Sequence, residues 1–156
     1  MELRERIASA TKDAMKARDA ARLSTLRLVG AAIKDREIAA RGEGGPDASG
    51  GLSGDELVAL LSRMVKQRQE SARAYEEGGR LELAERELAE IGIIQEFLPR
   101  QLDQAEVAAA VDTVIADLGA ESVRDMGRVM GELRARHAGQ MDFGAAGALV
   151  KARLMG

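Results

Sequence analysis

Aromatic residues are almost missing from this chain, and their absence decides which architecture can hold its core. Tyr75, Phe97 and Phe143 are the whole aromatic complement of 156 residues, and 28 of the 71 apolar residues are alanine. A core this thin, aliphatic and alanine-cushioned suits helices in close contact, because strands favour β-branched and aromatic side chains. At this length the chain is one average domain or two small ones, and it can bury roughly two-thirds of its unfolded surface. The expectation is an all-α protein: N-terminal helical hairpins followed by a compact C-terminal three-helix bundle.

Several chemistries are excluded by composition. With no cysteine, there is no disulfide scaffold, thiolate zinc site, iron–sulfur cluster or cysteine nucleophile. His137 is the only histidine, so every two-histidine metal motif is unavailable. No metal and no cofactor is expected. No apolar run approaches the ~18–20 residues needed to cross a bilayer, and Met1-Glu2-Leu3-Arg4-Glu5-Arg6 carries charge where a signal peptide needs an apolar stretch. The reading is a cytoplasmic protein without a membrane partner. A net charge of −3, from 23 basic and 26 acidic residues, excludes a general nucleic-acid coat but permits a local basic face.

Glycine and proline divide the chain. Pro46 lies in Gly42-Glu43-Gly44-Gly45-Pro46-Asp47-Ala48-Ser49-Gly50-Gly51, too glycine-rich for a helix, and Pro99 should end a helix near Leu98. The expected division is an N-terminal helical subdomain over 1–98, with a flexible Gly-rich loop at 42–52, and a C-terminal three-helix subdomain over 99–156. Within the first, Leu3, Ile7, Ala10 and Ala14 form one stripe and Leu26, Val29 and Ile33 another of shifted phase, which places a break near Arg18 with Asp19 as the next cap. Ser53 and Glu56 have capping-box spacing ahead of Leu57, Leu60, Leu61 and Met64. That helix should stop at Gly78-Gly79. The next, Arg80 to Leu98, is expected to turn Leu81, Leu88, Ile91, Ile94 and Leu98 inward and Glu82, Glu85, Glu87 and Glu90 outward. Asp103-x-x-Glu106, Ser122-x-x-Asp125 and Asp142 are the expected starts of the three C-terminal helices, with Gly119 ending the first.

Little here can carry catalysis. The glycine-rich loop follows a helix and lacks the Gly-Lys-Ser/Thr ending of a phosphate cradle, so it reads as a linker. The glutamates of helix 80–98 occupy one helix with no second carboxylate cluster to answer them, and they read as a solvated acidic face. His137, in Arg134-Ala135-Arg136-His137, sits where positive charge favours a helix C-terminus. Gly127 and Gly131 are one turn apart on a helix, at a cost of about 1 kcal/mol each. Close helix packing or close approach of an RNA backbone would each offset that cost.

Charge is uneven along the chain. Residues 1–41 carry 10 basic against 6 acidic side chains, 42–98 carry 6 against 12, 99–120 carry 1 against 4, and 121–156 carry 6 against 4. Arg124 and Arg128 are spaced to share a helix face, which Lys151 and Arg153 extend, with Arg136 and His137 between. Such cations neutralise phosphates without reading sequence. A solvated surface balanced by Asp125 and Glu132 is the plainer alternative.

These segments also carry a family resemblance. Asp13-x-x-Lys16-x-Arg18-Asp19-x-x-Arg22-Leu23-x-x-Leu26-Arg27, then Ala31-Ala32-Ile33-Lys34 and Glu37-Ile38, then Phe97-Leu98-Pro99-x-Gln101-Leu102 and Asp125-Met126-Gly127-Arg128-Val129-Met130, resemble the GatB/YqeY family over the whole length. The resemblance implies a free-standing all-helical chain. Its C-terminal part is similar to the tail domain of the B subunit of tRNA-dependent amidotransferase, a carbon–nitrogen ligase that takes its nitrogen from glutamine. The match to that tail lies in Gly127, Val129, Met130 and Gly139, with Asp142 and Lys151 following. Where a basic residue commonly follows the glycine, this chain has Gln140 and then Met141.

The resemblance implies a noncatalytic tRNA-associated accessory protein, in which Arg124, Arg128, Lys151 and Arg27 contact phosphates and Gly127 permits close approach. No segment has the length or motifs for a glutaminase nucleophile or a carboxylate-activating site, so no catalytic residue is assigned. The alternative is a protein–protein or homo-oligomerisation module that uses the acidic helix 80–98.

Overall fold

A computed structural model describes residues 2–42 and 51–156 of the chain, and every regular element among them is helical. They fall into two compact units, Met1–Leu98 and Pro99–Gly156. No helix is long and apolar enough to cross a membrane among the described residues.

The first unit holds α1 (Leu3–Ala17), α2 (Ala20–Gly42), α3 (Gly54–Glu77) and α4 (Leu81–Gln95). Arg18 breaks α1 from α2 by taking a left-handed backbone at φ 56°, from which its amide reaches back to Met15 O. Asp19 then caps α2, its Oδ1 accepting the Arg22 amide at 3.2 Å. Of the glycine-rich loop expected over 42–52, positions 43–50 lie outside the described residues. Beyond them Leu52 is buried, and its amide donates to Glu37 Oε2 at 3.2 Å. Ser53 and Glu56 form the capping box reciprocally, as their spacing requires, and α3 ends at Gly78-Gly79.

The core of this unit is aliphatic: Leu26, Val29, Leu61 and Ile94 are fully enclosed, with Phe97 the one buried aromatic beside them. Ion pairs join its helices, with Arg68 Nε to Glu90 at 2.8 Å between α3 and α4, Arg22 to Glu96 at 2.6 Å, and Arg4 to Glu37 at 2.6 Å between α1 and α2. Arg6 lies over the Phe97 ring and donates to Glu96 O.

One expectation about α4 is overturned. Leu81 and Leu88 do not point inward; they are 61% and 50% exposed. The helix packs through Ala84, Ile91 and Ile94 instead. At about 100° of rotation per residue, Leu81 and Leu88 fall well round the cylinder from the middle of that stripe.

The second unit holds α5 (Gln104–Leu118), a 3-10 turn (Val123–Asp125), α6 (Met126–His137) and α7 (Phe143–Met155) around Val111, Val114, Val129, Leu133 and Val150. Asp103 and Glu106 cap α5 reciprocally. Arg100 grips both oxygens of Glu106, at 2.9 and 2.7 Å. That guanidinium, helped by the Asp103 amide, pulls the Glu106 carboxyl down to about 2. Gly119 ends α5 at φ 60°, in the left-handed region glycine enters without strain.

Candidate nucleic-acid interface

The surface of interest begins where α5 stops. Ser122 does not open α6 directly: its Oγ accepts the Arg124 amide at 3.3 Å and caps a single 3-10 turn, and the α-helix starts only at Met126. Asp125 anchors that turn by accepting from the amides of Glu121 at 3.0 Å and Ser122 at 3.3 Å. The Glu121 amide first, and the Arg128 guanidinium next, hold the Asp125 carboxyl below its ordinary range.

From there α6 turns Val129, Met130 and Leu133 into the core. Gly127 and Gly131 face outward, and a Cβ built on either would meet nothing within 4 Å. Close helix packing is therefore not what these two glycines serve. The helix glycine that does lie on a packed seam is Gly147 on α7, whose Cβ would sit at ordinary contact distance, 3.7 and 3.8 Å, from the terminal methyls of Met130 and Met126. Sequence reasoning passed over Gly147, although it shares a stripe with Val150 and Leu154 at three- and four-residue steps.

The cations of this unit separate into two groups. Arg136 is held by Asp117 at 2.7 Å and Glu132 at 2.9 Å, Arg153 by Asp112 at 2.9 Å, and Arg100 by Glu106, while Arg134 lies over the Phe143 ring. Arg136 and Arg153 thus reach carboxylates on α5 instead of extending a basic face, and Arg124 lies in the 3-10 turn, not on one helix with Arg128 as their spacing suggests. Arg124 and Lys151 are exposed and make no ion pair among the described residues. Arg128 is exposed too, touching Asp125 at 3.0 Å in a pair open to solvent. Such a pair is worth about 0–1 kcal/mol and opens readily to a phosphate.

Lys151 is exposed on α7, next to the buried Val150 and one turn after Gly147. Arg124, Gly127, Arg128 and Lys151 therefore belong to one unit, whereas Arg27 is exposed on α2 of the other.

Gln140, standing where the resemblance leads one to expect a base, works inside the unit. Its backbone carbonyl accepts the Leu102 amide at 2.9 Å, its Nε2 donates to Arg100 O at 3.2 Å, and its Oε1 lies 3.1 Å from His137 Nδ1. Gln101 returns the link by donating to Gly139 O. Met141 is buried in the core. This position fastens the connection before α5 to the loop between α6 and α7, and a solvated cation there would lose the two side-chain contacts.

Among the described residues no three His, Asp or Glu side chains gather closely enough to hold a metal ion. The arrangement consists of exposed cations and bare helical backbone.

Residues 4–154 match the family model described as "Yqey-like protein". Over 109 residues the chain is 33% identical to "Altered inheritance of mitochondria protein 41, mitochondrial" of Lachancea thermotolerans. That alignment covers 69% of this chain and 54% of the relative, so the chain spans about half the length of the curated relative it matches.

Proposed function

The chain belongs to the YqeY-like family, and from that premise we propose that it is a noncatalytic accessory protein that binds tRNA through the outer face of α6. The observation that carries the reading is the pair Gly127 and Gly131. Gly131, inside the helix, costs about 1 kcal/mol relative to alanine, Gly127, in the first turn, costs less, and no packing contact offsets either. Bare helical backbone beside exposed Arg124 and Arg128 lets a phosphodiester chain approach more closely than any side chain would permit. Lys151 adds a third cation from α7. These groups position an RNA backbone and do not read its bases.

The test is a titration of labelled, unfractionated tRNA at roughly 50 and 200 mM salt. Three phosphate contacts give a salt slope of about 2–3, hence a roughly 20- to 40-fold loss of affinity over that range. Arg124→Glu/Arg128→Glu should abolish most of the binding while leaving the helical content unchanged. Binding indifferent to both arginines would overturn the assignment of this face.

A further inference from the structure

A second surface, on the N-terminal unit, has no part in that reading. Between α1 and α2 runs an open groove of about 600 Å³. Its floor is apolar, with Ile7, Ile33 and Ile38, and its rim is basic, with Lys12, Lys34 and Arg41. Ile38 is 55% exposed although its neighbour on the floor, Ile33, is buried. Lys12 and Lys34 have no ion-pair partner among the described residues, whereas Arg4, at one end of the groove, is already neutralised by Glu37. An apolar floor under free ammonium groups fits an amphipathic helix that carries carboxylates beside its apolar stripe.

The same unit presents such a helix. On α4, Leu81, Glu85, Leu88 and Gly92 follow one another at four- and three-residue steps, with Glu82 and Ala89 beside them. Leu81 and Leu88 are uncovered in their own unit, and Glu82 and Glu85 are exposed and make no ion pair among the described residues. Arg86 lies round the helix, away from the leucine stripe. Groove and stripe therefore match in apolar surface and in charge: residues 1–41 hold 10 basic against 6 acidic side chains, and 42–98 hold 6 against 12.

We infer that the α1/α2 groove receives the Leu81/Leu88 face of α4 from a second copy of this chain. A chain that carries both halves of a complementary pair can exchange them about a twofold axis, groove to helix and helix to groove. Two copies then close on each other without leaving a free end. Both contacts are reciprocal, so the charge pattern can be inverted on either side separately.

The experiment is light-scattering mass across a concentration series of the full chain, at roughly 50 mM and 1 M salt, the latter shortening the screening length to about 3 Å. The wild type should move from 16.6 kDa towards twice that mass as concentration rises, and high salt should weaken the association. Lys12→Glu/Lys34→Glu leaves groove and helix both acidic, and Glu82→Lys/Glu85→Lys leaves both basic, so each variant alone should stay at the single-chain mass. Mixed in equal amounts they present two matched pairs, and the doubled mass should return. All four positions are exposed, so folding is not at risk, and circular dichroism checks it directly. A wild type that stays at the single-chain mass throughout, a doubled mass that survives either reversal, or failure of the mixture to restore it would each overturn the inference.

Discussion

Two surfaces of the C-terminal unit use the same residue to opposite ends. On the seam between α6 and α7, Gly147 is covered by the side-chain ends of Met126 and Met130, and a longer side chain there must push them aside. On the outer side of α6, Gly127 and Gly131 lie in open space. The first glycine lies on a packed seam, where the fold limits the size of the side chain; the other two weaken their helix and return nothing to it. Cations divide in the same way: Arg136 and Arg153 are spent on α5, while Arg124 and Lys151 are not engaged. A feature that the fold does not need, placed beside charge that the fold does not use, is where a binding function is best sought.

The comparison is sharpened most by damaging the packed side. Leu133 is fully enclosed, so Leu133→Ala should cost about 2–5 kcal/mol, enough to threaten a unit this small. Thermal or denaturant unfolding reads the loss. Next in size is the seam itself. Gly147→Leu should cost about 1–3 kcal/mol by forcing the two methionines aside, whereas Gly147→Ala, at ordinary contact distance, should be tolerated. An equal response to alanine and leucine would remove the distinction between the two surfaces.

The open side should answer with the opposite sign. Gly127→Ala and Gly131→Ala should each stabilise the protein by up to about 1 kcal/mol, because alanine restricts the unfolded chain and meets no obstacle in the helix. Affinity for tRNA should nevertheless fall several-fold in the double variant. A gain in stability with unchanged binding would leave the bare backbone without the role proposed for it.

Much of the molecule can be read from spacing alone, and the failures share a cause. The breaks at Arg18 and Gly78-Gly79 and the caps at Asp19, Ser53, Asp103 and Asp142 follow from chemistry within a few residues of each position. Leu81 and Leu88 escape the pattern because α4 packs through Ala84 with Ile91 and Ile94, and a small residue gives little weight to a hydrophobic stripe. The three helix glycines look alike in sequence, since only the neighbouring helix determines whether a glycine is covered. Ion pairs over long separations, such as Arg153 with Asp112, have no local signature either. They decided which members of the expected basic face are free.

The smallest effect concerns α5, the helix on which both surfaces lean. Glu106 closes its capping box and is gripped by Arg100, and its carboxyl is depressed from 4.5 to about 2. A depressed carboxyl stabilises the folded state above its unfolded pKa, and that contribution disappears as pH falls through the folded value. Unfolding temperature should therefore drop between about pH 5 and pH 2 more steeply in the wild type than in Glu106→Gln, with the two curves converging at the acid end. The group is open to solvent, so the difference should also shrink in high salt. If the variant instead tracks the wild type at every pH, the Arg100 grip contributes nothing to holding α5, and the anchoring of this unit rests on the Gln140 and Gln101 links between its two loops.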